Sequence, residues 1–238
     1  MNKILLSLLV VFLTPVVGIA AAGGGMSLGA QLSLASSGQT DMDNLIKAAR
    51  SDNAATTSEL GSMTEISGSW SYRFSGSIVS MIFRPSYYFV STTGSGTPGD
   101  YDYDLSGFTL FGISRFTALE NNYFKFFLQT GLGWGFGSGS IEEGSVKVDF
   151  SGNNVGFLAG LGAEFCFGGS SHCMAIEGNV RYLPIARNMV DSVTGTCVSN
   201  TDTGLSQCVD GRELELNDRD LSVSLSGIMG TIGYNYYF

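Results

Sequence analysis

The final stretch Gly233-Tyr-Asn-Tyr-Tyr-Phe238 places an aromatic side chain at every second position. Alternation of this kind puts Tyr234, Tyr236 and Phe238 on one face of a β-strand. Just upstream, the large apolar residues change parity, from Leu221, Val223 and Leu225 to Ile228 and Ile232. One extra residue in the strand would bring both groups onto the same face. We therefore predict a closing strand with a β-bulge near Gly227.

The same alternation of large apolar with small or polar residues recurs upstream. It predicts seven further strands, within residues 26–34, 66–74, 79–89, 105–116, 124–136, 155–167 and 174–182. In residues 105–116 both parities are possible, because Phe108 and Leu110 compete with Phe111 and Ile113 for the outer face. With the closing strand, the sequence predicts an all-β fold of eight strands.

The connections between these strands alternate in length. Short ones fall at residues 75–77, 118–122 and 168–172, and longer ones at 36–60, 92–104, 138–149 and 187–218. Bacterial membrane barrels have short periplasmic turns and longer extracellular loops. We therefore predict an eight-stranded antiparallel up-and-down transmembrane β-barrel with four longer extracellular loops. A secreted β-sandwich is the alternative, but it would bury its large side chains between two sheets and does not require this order of loops.

Charged residues within the strands test this prediction. Six of them take the parity opposite to the large apolar side chains: Arg73, Arg84, Lys125, Glu164, Glu177 and Arg181. A Lys or Arg that faces lipid at the membrane midplane costs about 2–4 kcal/mol, so these residues are expected to face inward. We predict an interior charge network that joins some of Arg73, Arg84 and Arg181 to Glu164 and Glu177. In the alternative, each charge sits singly in interior water near the barrel ends.

The charge balance excludes a nucleic-acid partner. The formal net charge is −9, and the carboxylates gather in the predicted loops rather than in the strands. Nucleic-acid-binding proteins present clustered Lys and Arg instead. The loop carboxylates either share divalent cations with lipopolysaccharide or are simply solvated.

The N-terminus has the pattern of a secretory signal peptide. Lys3 supplies the positive charge, residues 4–13 form the apolar core, and residues 18–22 are small enough for cleavage after Ala20 or Ala22. We predict a cleaved signal peptide over residues 1–22 and a barrel domain over residues 23–238. A retained membrane anchor is the alternative, although the apolar stretch is short for a membrane-spanning helix.

The four cysteines suggest an oxidising compartment. They form two local pairs, Cys166 with Cys173 and Cys197 with Cys208. Three connectivities are possible, and we favour the one that joins nearest neighbours.

The sequence contains little that points to catalysis, a metal or a cofactor. The single histidine, His172, lies in a predicted turn and has no evident serine partner, so we predict that the protein is not an enzyme. Cys166, His172 and Cys173 supply three possible metal ligands where a structural zinc site needs four, and a disulfide needs only two. The glycine run over residues 131–137 lacks the spacing of a phosphate-binding loop and is expected to face the barrel interior.

The first long connection contains a helical pattern. Met42, Leu45, Ile46 and Ala49 recur at helical spacing within residues 41–50. This segment is either a lid or contact surface on the cell exterior, or a loop helix that packs its apolar side against the barrel rim. We favour the second interpretation.

Together, the N-terminal pattern, the strand number and the aromatic C-terminal run resemble the small outer-membrane barrel families. These are the OmpA transmembrane domain, OmpX, the neisserial opacity proteins and, more distantly, OmpW. In these families the β-barrel assembly machinery recognises the aromatic end of the last strand, and the matching residues here are Tyr234, Tyr236 and Phe238. The resemblance implies residence in the bacterial outer membrane, in contact with lipid and lipopolysaccharide.

Two functions follow from this resemblance. The first is a surface-exposed structural or adhesion-type scaffold whose loops contact an extracellular surface or host ligand. The alternative, which the resemblance to OmpW implies, is a passive channel for small or hydrophobic solutes. The inward charges indicate a filled interior and favour the scaffold.

Overall fold

The computed structural model describes residues 25–97, 99–167, 171–195, 205–216 and 219–238. Eight long strands form the wall: β1 (Gly25–Ser37), β2 (Met63–Arg73), β3 (Val79–Ser95), β4 (Asp100–Glu120), β5 (Phe124–Glu143), β6 (Val146–Phe167), β7 (His172–Tyr182) and β14 (Gly227–Tyr237). Between β7 and β14 lie β8 (Pro184–Ile185), β9 (Met189–Thr194), β10 (Leu205–Gln207), β11 (Glu215–Leu216), β12 (Arg219–Asp220) and β13 (Val223–Ser224). One helix, α1 (Thr40–Asn53), follows β1.

The eight long strands close into an antiparallel barrel, which confirms the predicted fold class. Each strand pairs with its neighbour in the chain, and β14 pairs with both β7 and β1. When paired residues are followed once round the wall from Gly25, the path returns to β1 at Ala35, ten residues further along. With ordinary strand spacing and rise, this stagger tilts the strands by roughly 40° to the barrel axis.

The two ends of the barrel differ, although two of the predicted long loops are continued strands. At one end, residues 74–78 and 121–123 make short turns between β2 and β3 and between β4 and β5. At the other end, four residues connect β3 to β4, and a two-residue turn at Gly144 connects β5 to β6. The predicted loops over residues 92–104 and 138–149 are therefore mostly hairpins that extend the wall outward. The first and fourth long connections, which contain α1 and β8–β13, are true insertions.

Strand β4 resolves the parity that the sequence left open. Phe111 and Ile113 are buried in the interior, whereas Phe108 and Phe116 are exposed on the outside. The large apolar residues on both faces made the pattern ambiguous, because this barrel also has an apolar interior over part of its height.

The predicted β-bulge near Gly227 is wrong. The register of β14 with β1 and β7 is continuous from Gly227 onward. Leu221, Val223 and Leu225 are all buried, whereas Ile228 and Ile232 are exposed. The two groups therefore face opposite sides, and the alternation needs no extra residue.

The outward side chains form an apolar belt with aromatic rings at both edges. On β5, Phe126 lies near the turn end, Leu128 and Leu132 lie in the middle, and Trp134 lies near the loop end. Eight residues separate Phe126 from Trp134, which corresponds to roughly 20 Å of barrel height. Other turn-end rings are Tyr72, Phe74, Phe116, Phe165, Phe167, Tyr234 and Tyr236, and other loop-end rings are Tyr87, Phe89, Phe108, Phe157 and Tyr182.

The helix α1 buries one side completely. Met42, Leu45, Ile46 and Ala49 have no exposed surface, so the helical pattern in the sequence is confirmed. Among the described residues, no helix combines the length and apolarity that a membrane crossing requires.

Candidate functional site: a filled barrel and its outer cap

A buried ionic cluster occupies the turn-end half of the interior. Arg115 on β4 donates from Nη1 to Glu164 on β6 and from Nη2 to Glu177 on β7, with 2.7 Å between the atoms in each case. Arg84 on β3 forms a second ion pair with Glu177, with 2.9 Å between Nη1 and Oε2. Less than a tenth of each side chain is exposed. Two guanidinium groups thus hold two carboxylates from different strands together.

Neutral side chains donate further hydrogen bonds to both carboxylates of this cluster. Gln129 Nε2 donates to Glu177 Oε2 over 2.8 Å and to Asn179 Oδ1 over 2.7 Å. Asn235 Nδ2 and the Tyr237 hydroxyl donate to the two oxygens of Glu164. Buried charges remain stable only when they are paired and their remaining hydrogen-bonding capacity is satisfied. The cluster meets both conditions at each carboxylate.

Two of the other predicted network residues bind different carboxylates. Arg181 pairs with Glu65 on β2, deep in the barrel, and its Nε donates to the Leu225 carbonyl over 2.7 Å. Arg73 pairs with Glu120 at the turn-end rim, where about a third of each side chain is exposed. Of the three arginines named in the prediction, Arg84 joins Glu177, whereas Arg73 and Arg181 bind other carboxylates.

Lys125 lies between the rim and the cluster. Its Nζ is 3.9 Å from Glu120 and 3.8 Å from Glu164, and it sits 3.6 Å from the centre of the Tyr237 ring. It lines a cavity of about 20 Å³ with Ser71, Ser80, Thr117 and Arg115, space for about one water molecule.

Apolar side chains fill the interior beyond the ionic cluster. Phe111, Leu158, Leu183, Ile185 and Leu225 are each at most 2 % exposed. Glycines on β5 make room for them: a Cβ at Gly133 would come within 2.5 Å of the Phe111 ring, and one at Gly135 within 2.6 Å of Leu183. The predicted inward glycines therefore accommodate a close-packed apolar plug, with Leu183, Ile185 and Leu225 supplied by the chain between β7 and β14.

The insertions and strand extensions at the loop end form a cap. The Asp41 carboxylate of α1 accepts from Arg219 Nη2 over 2.6 Å and from the Ser222 backbone N–H over 2.9 Å. Gln39, just before α1, donates to the Ser224 carbonyl over 2.5 Å and accepts from the Ser224 N–H. These bonds tie the first insertion to the fourth. The helix packs inward against the barrel, as the favoured interpretation of the sequence predicted.

The paired loop-end extensions of β4 and β5 contribute a buried polar contact to this cap. The Tyr103 hydroxyl donates to Glu143 Oε1 over 2.8 Å. Glu143 lies seven residues beyond Phe136 on β5 and thus outside the apolar belt. Burial raises the pKa of this carboxyl, and the hydrogen bond from Tyr103 offsets part of the rise.

Comparisons with known proteins agree with this architecture. No protein-family model matches the chain, and no curated protein is detectably similar in sequence. The crystal structure of OprG, an outer membrane protein from Pseudomonas aeruginosa, matches with a TM-score of 0.53 and 10% sequence identity, over 91% of this chain and 96% of that chain. The fold is that of a small outer-membrane β-barrel. Neisserial surface protein A and Ail of Yersinia pestis also match, with TM-scores of 0.41 and 0.40 at 13% and 12% identity. Each match covers 91% of this chain, and 98% and 100% of the respective partner.

One of the two expected disulfides lies inside this barrel near the turn end. Cys166 on β6 faces Cys173 on β7 in register, and the two are bonded, as predicted. Glu164 lies within 4.8 Å of both sulfurs, but sulfurs in a disulfide offer no thiolate to a metal. Cys208 is also disulfide-bonded, and Cys197 lies outside the described residues, as does the predicted signal peptide.

The single histidine belongs to the outer aromatic edge. His172 Nδ1 hydrogen-bonds the Tyr234 hydroxyl over 2.5 Å, and its ring stacks on Phe167 at 6.0 Å between centres. Tyr234, Tyr236 and Phe238 are exposed on the same outer face. These contacts explain His172 as part of the turn-end belt.

Sequence reasoning missed three charged members of the interior: Glu65, Arg115 and Glu120. Arg115 was obscured because Phe111 and Ile113 share its parity. A charge costs far more in lipid than an apolar side chain costs in a packed interior, so Arg115 itself indicated which face of β4 points inward. Glu65 and Glu120 fall just beyond the predicted strand bounds.

Proposed function

We propose that this protein is an integral outer-membrane barrel that acts as a surface-exposed structural or adhesion-type scaffold. The observation that carries the proposal is the filled interior: an ionic cluster occupies the turn-end half and an apolar plug lies beyond it. Such an interior is a poor path for solutes. The folded cap at the loop end is then the part of the molecule that meets an extracellular surface or host ligand.

The outer belt supports residence in a membrane. Large side chains such as Leu32, Ile66, Leu128, Leu161 and Ile232 are exposed around the wall, and water would solvate them poorly. An apolar band between two aromatic edges is typical of outer-membrane barrels. Lipid and lipopolysaccharide are therefore the proposed neighbours of the wall.

Export and assembly belong to the same proposal. Residues 1–22 are proposed to be a cleaved signal peptide. Tyr234, Tyr236 and Phe238 are proposed to be the insertion signal that the β-barrel assembly machinery recognises, and their outward position leaves them accessible to a partner in the membrane.

Two measurements test the scaffold. Purified protein in planar bilayers should show no steady, reproducible conductance. Cells that display a variant with residues 40–60 replaced by a short Gly-Ser linker should attach less to the target surface than cells that display the natural chain. Gel mobility with and without boiling shows whether each variant is a closed barrel. Steady channels, or unchanged attachment by a folded variant of this kind, would contradict the proposal.

A passive channel for small or hydrophobic solutes is the second candidate. The apolar interior beneath α1, lined by Phe111, Leu158 and Leu183, favours it. Passage would require the plug to move, so weakening the contacts between Asp41, Arg219 and Ser222 should increase flux into liposomes. If the natural chain and Asp41→Ala show the same background flux, the channel hypothesis is rejected.

A further inference from the structure

Four polar residues form a row on the inner wall. Gln31 on β1 faces Ser67 on β2, Ser67 faces Ser86 on β3, and Ser86 faces Thr109 on β4. All four are at most 5 % exposed. The row thus crosses four adjacent strands in direct register, without contact with bulk water.

Hydrogen bonding within the row is incomplete. Ser67 Oγ donates to Gln31 Oε1 over 3.3 Å. Within the described part of the chain, Gln31 Nε2, Ser86 Oγ and Thr109 Oγ1 have no hydrogen-bond partner. Buried polar groups in folded proteins nearly always have a partner, either in the protein or in ordered water. Three such groups along one row therefore indicate that a ligand is bound there.

Two guanidinium groups beside the row also have an unmatched hydrogen-bond donor. Arg84 lies two residues from Ser86 on β3, and Arg181 binds Glu65, which lies two residues from Ser67 on β2. Within the described residues, Arg84 Nε and Arg181 Nη2 also have no hydrogen-bond partner. The unmatched groups are thus three nitrogen donors and two hydroxyls.

We propose that this row binds a cluster of buried water molecules beside the ionic cluster. Water suits the site better than an anion for two reasons. Arg84 and Arg181 each already bind a carboxylate, that of Glu177 and that of Glu65 respectively. The two hydroxyls can both donate and accept, and water satisfies both roles, whereas a halide ion only accepts.

The water cluster also explains how the barrel interior can contain both an ionic cluster and an apolar plug. Along β3, Tyr88 of the apolar interior lies two residues from Ser86, on its loop-end side. The Arg84–Glu177 pair lies on the opposite side of Ser86 along β3. Water at the junction satisfies the polar groups that the plug cannot reach. This inference is independent of the scaffold proposal, because it concerns the wall and not the cap.

Substitution of the two hydroxyls tests the proposal by the sign of the effect. If water bridges them, Ser86→Ala and Thr109→Val each remove a satisfied group, and the thermal unfolding midpoint should fall by roughly 2–4 °C. If the site is dry, each substitution removes an unsatisfied hydroxyl, and the midpoint should rise. Ser33→Ala is the matched control, because Ser33 Oγ bonds Thr231 Oγ1 over 2.9 Å within the protein; it should lower the midpoint in either case.

Direct observation of bound water in the natural chain tests the proposal even if a variant does not fold. Nuclear Overhauser effects between water and the Gln31 side-chain amide, for protein in detergent micelles, should show a long-lived bound water. A crystal structure should show ordered water within about 3.2 Å of Thr109 Oγ1. Absence of both, a rise of both midpoints, or an anomalous bromide peak at the site after a bromide soak would overturn the proposal.

Discussion

The guanidinium of Arg115 lies across the barrel from the carboxylate of Glu177, with 2.7 Å between Nη2 and Oε1. The two residues come from β4 and β7, which are not neighbouring strands. This contact therefore connects two parts of the wall that no backbone hydrogen bond joins. Because Arg115 also binds Glu164, one side chain holds three strands at a common height.

Replacing Arg115 should therefore destabilise the barrel severely. Arg115→Leu leaves Glu164 and Glu177 short of a partner in a buried site, which should lower the free energy of unfolding by about 3–5 kcal/mol. Urea unfolding in detergent micelles measures the change. Arg73→Leu is the control, because its pair with Glu120 is partly exposed and should contribute at most about 1 kcal/mol. Equal losses for the two variants would contradict this account.

The Arg181–Glu65 pair should show strong coupling. Glu65→Met and Arg181→Met each leave one buried charge without its partner, whereas the double variant removes both charges. We expect each single variant to lose about 3–5 kcal/mol and the double variant to lose less than either. A double-mutant cycle of unfolding free energies measures the coupling. Additive losses would show that the two charges do not depend on each other.

The contacts of Asp41 should govern the opening of α1. Asp41→Ala removes the bonds to Arg219 and to the Ser222 backbone, so local opening of the helix should become about tenfold more frequent. Amide hydrogen exchange across residues 40–53 measures it. Lys47→Ala in the same helix is the control, because its pair with Glu59 is long and exposed and should matter little. Unchanged exchange in Asp41→Ala would mean that apolar packing alone holds the helix.

The paired loop-end extensions of β4 and β5 should be more stable in mild acid. The folded pKa of Glu143 is raised by burial, so the folded state binds a proton more tightly than the unfolded state does. The resulting stabilisation is complete below the ordinary pKa and is lost as the pH rises through the raised one. Glu143→Gln should remove this dependence and protect these strand extensions at neutral pH, as measured by hydrogen exchange. The control Glu142→Gln, at the neighbouring residue that pairs with exposed Lys147, should leave the pH dependence in place.

The disulfide should stabilise the barrel modestly. It closes a short loop of seven residues in sequence separation, and a loop of that length corresponds to about 2 kcal/mol of lost chain entropy in the unfolded state. Cys166→Ser with Cys173→Ser should lower the free energy of unfolding by that amount while the barrel remains closed on gels. A double variant that no longer forms a barrel would show that the disulfide is needed for folding itself.

The sequence by itself determined the number of wall strands, their antiparallel order and most of the outward face. Period-two alternation is a local property of the sequence. The short connections are local too, because the residues that form each turn lie close together in the chain. The helical spacing of Met42, Leu45, Ile46 and Ala49 could also be recognised in the sequence, because it too is a local pattern. The pairing of Cys166 with Cys173 also needed no long-range information, because one hairpin brings the two residues together.

The tertiary structure alone decided which charges meet and what fills the barrel. Arg115 reaches Glu177, and Arg181 reaches Glu65, only because the ten-residue stagger of the closed wall sets the relative heights of distant strands. Leu183 and Leu225 belong to the plug because the fourth insertion folds back into the barrel, and for this reason the parity of Leu225 resembled that of a bulged strand. Alternation says which side of the wall a residue faces. Closure and stagger determine what it meets there, and both are properties of the whole chain.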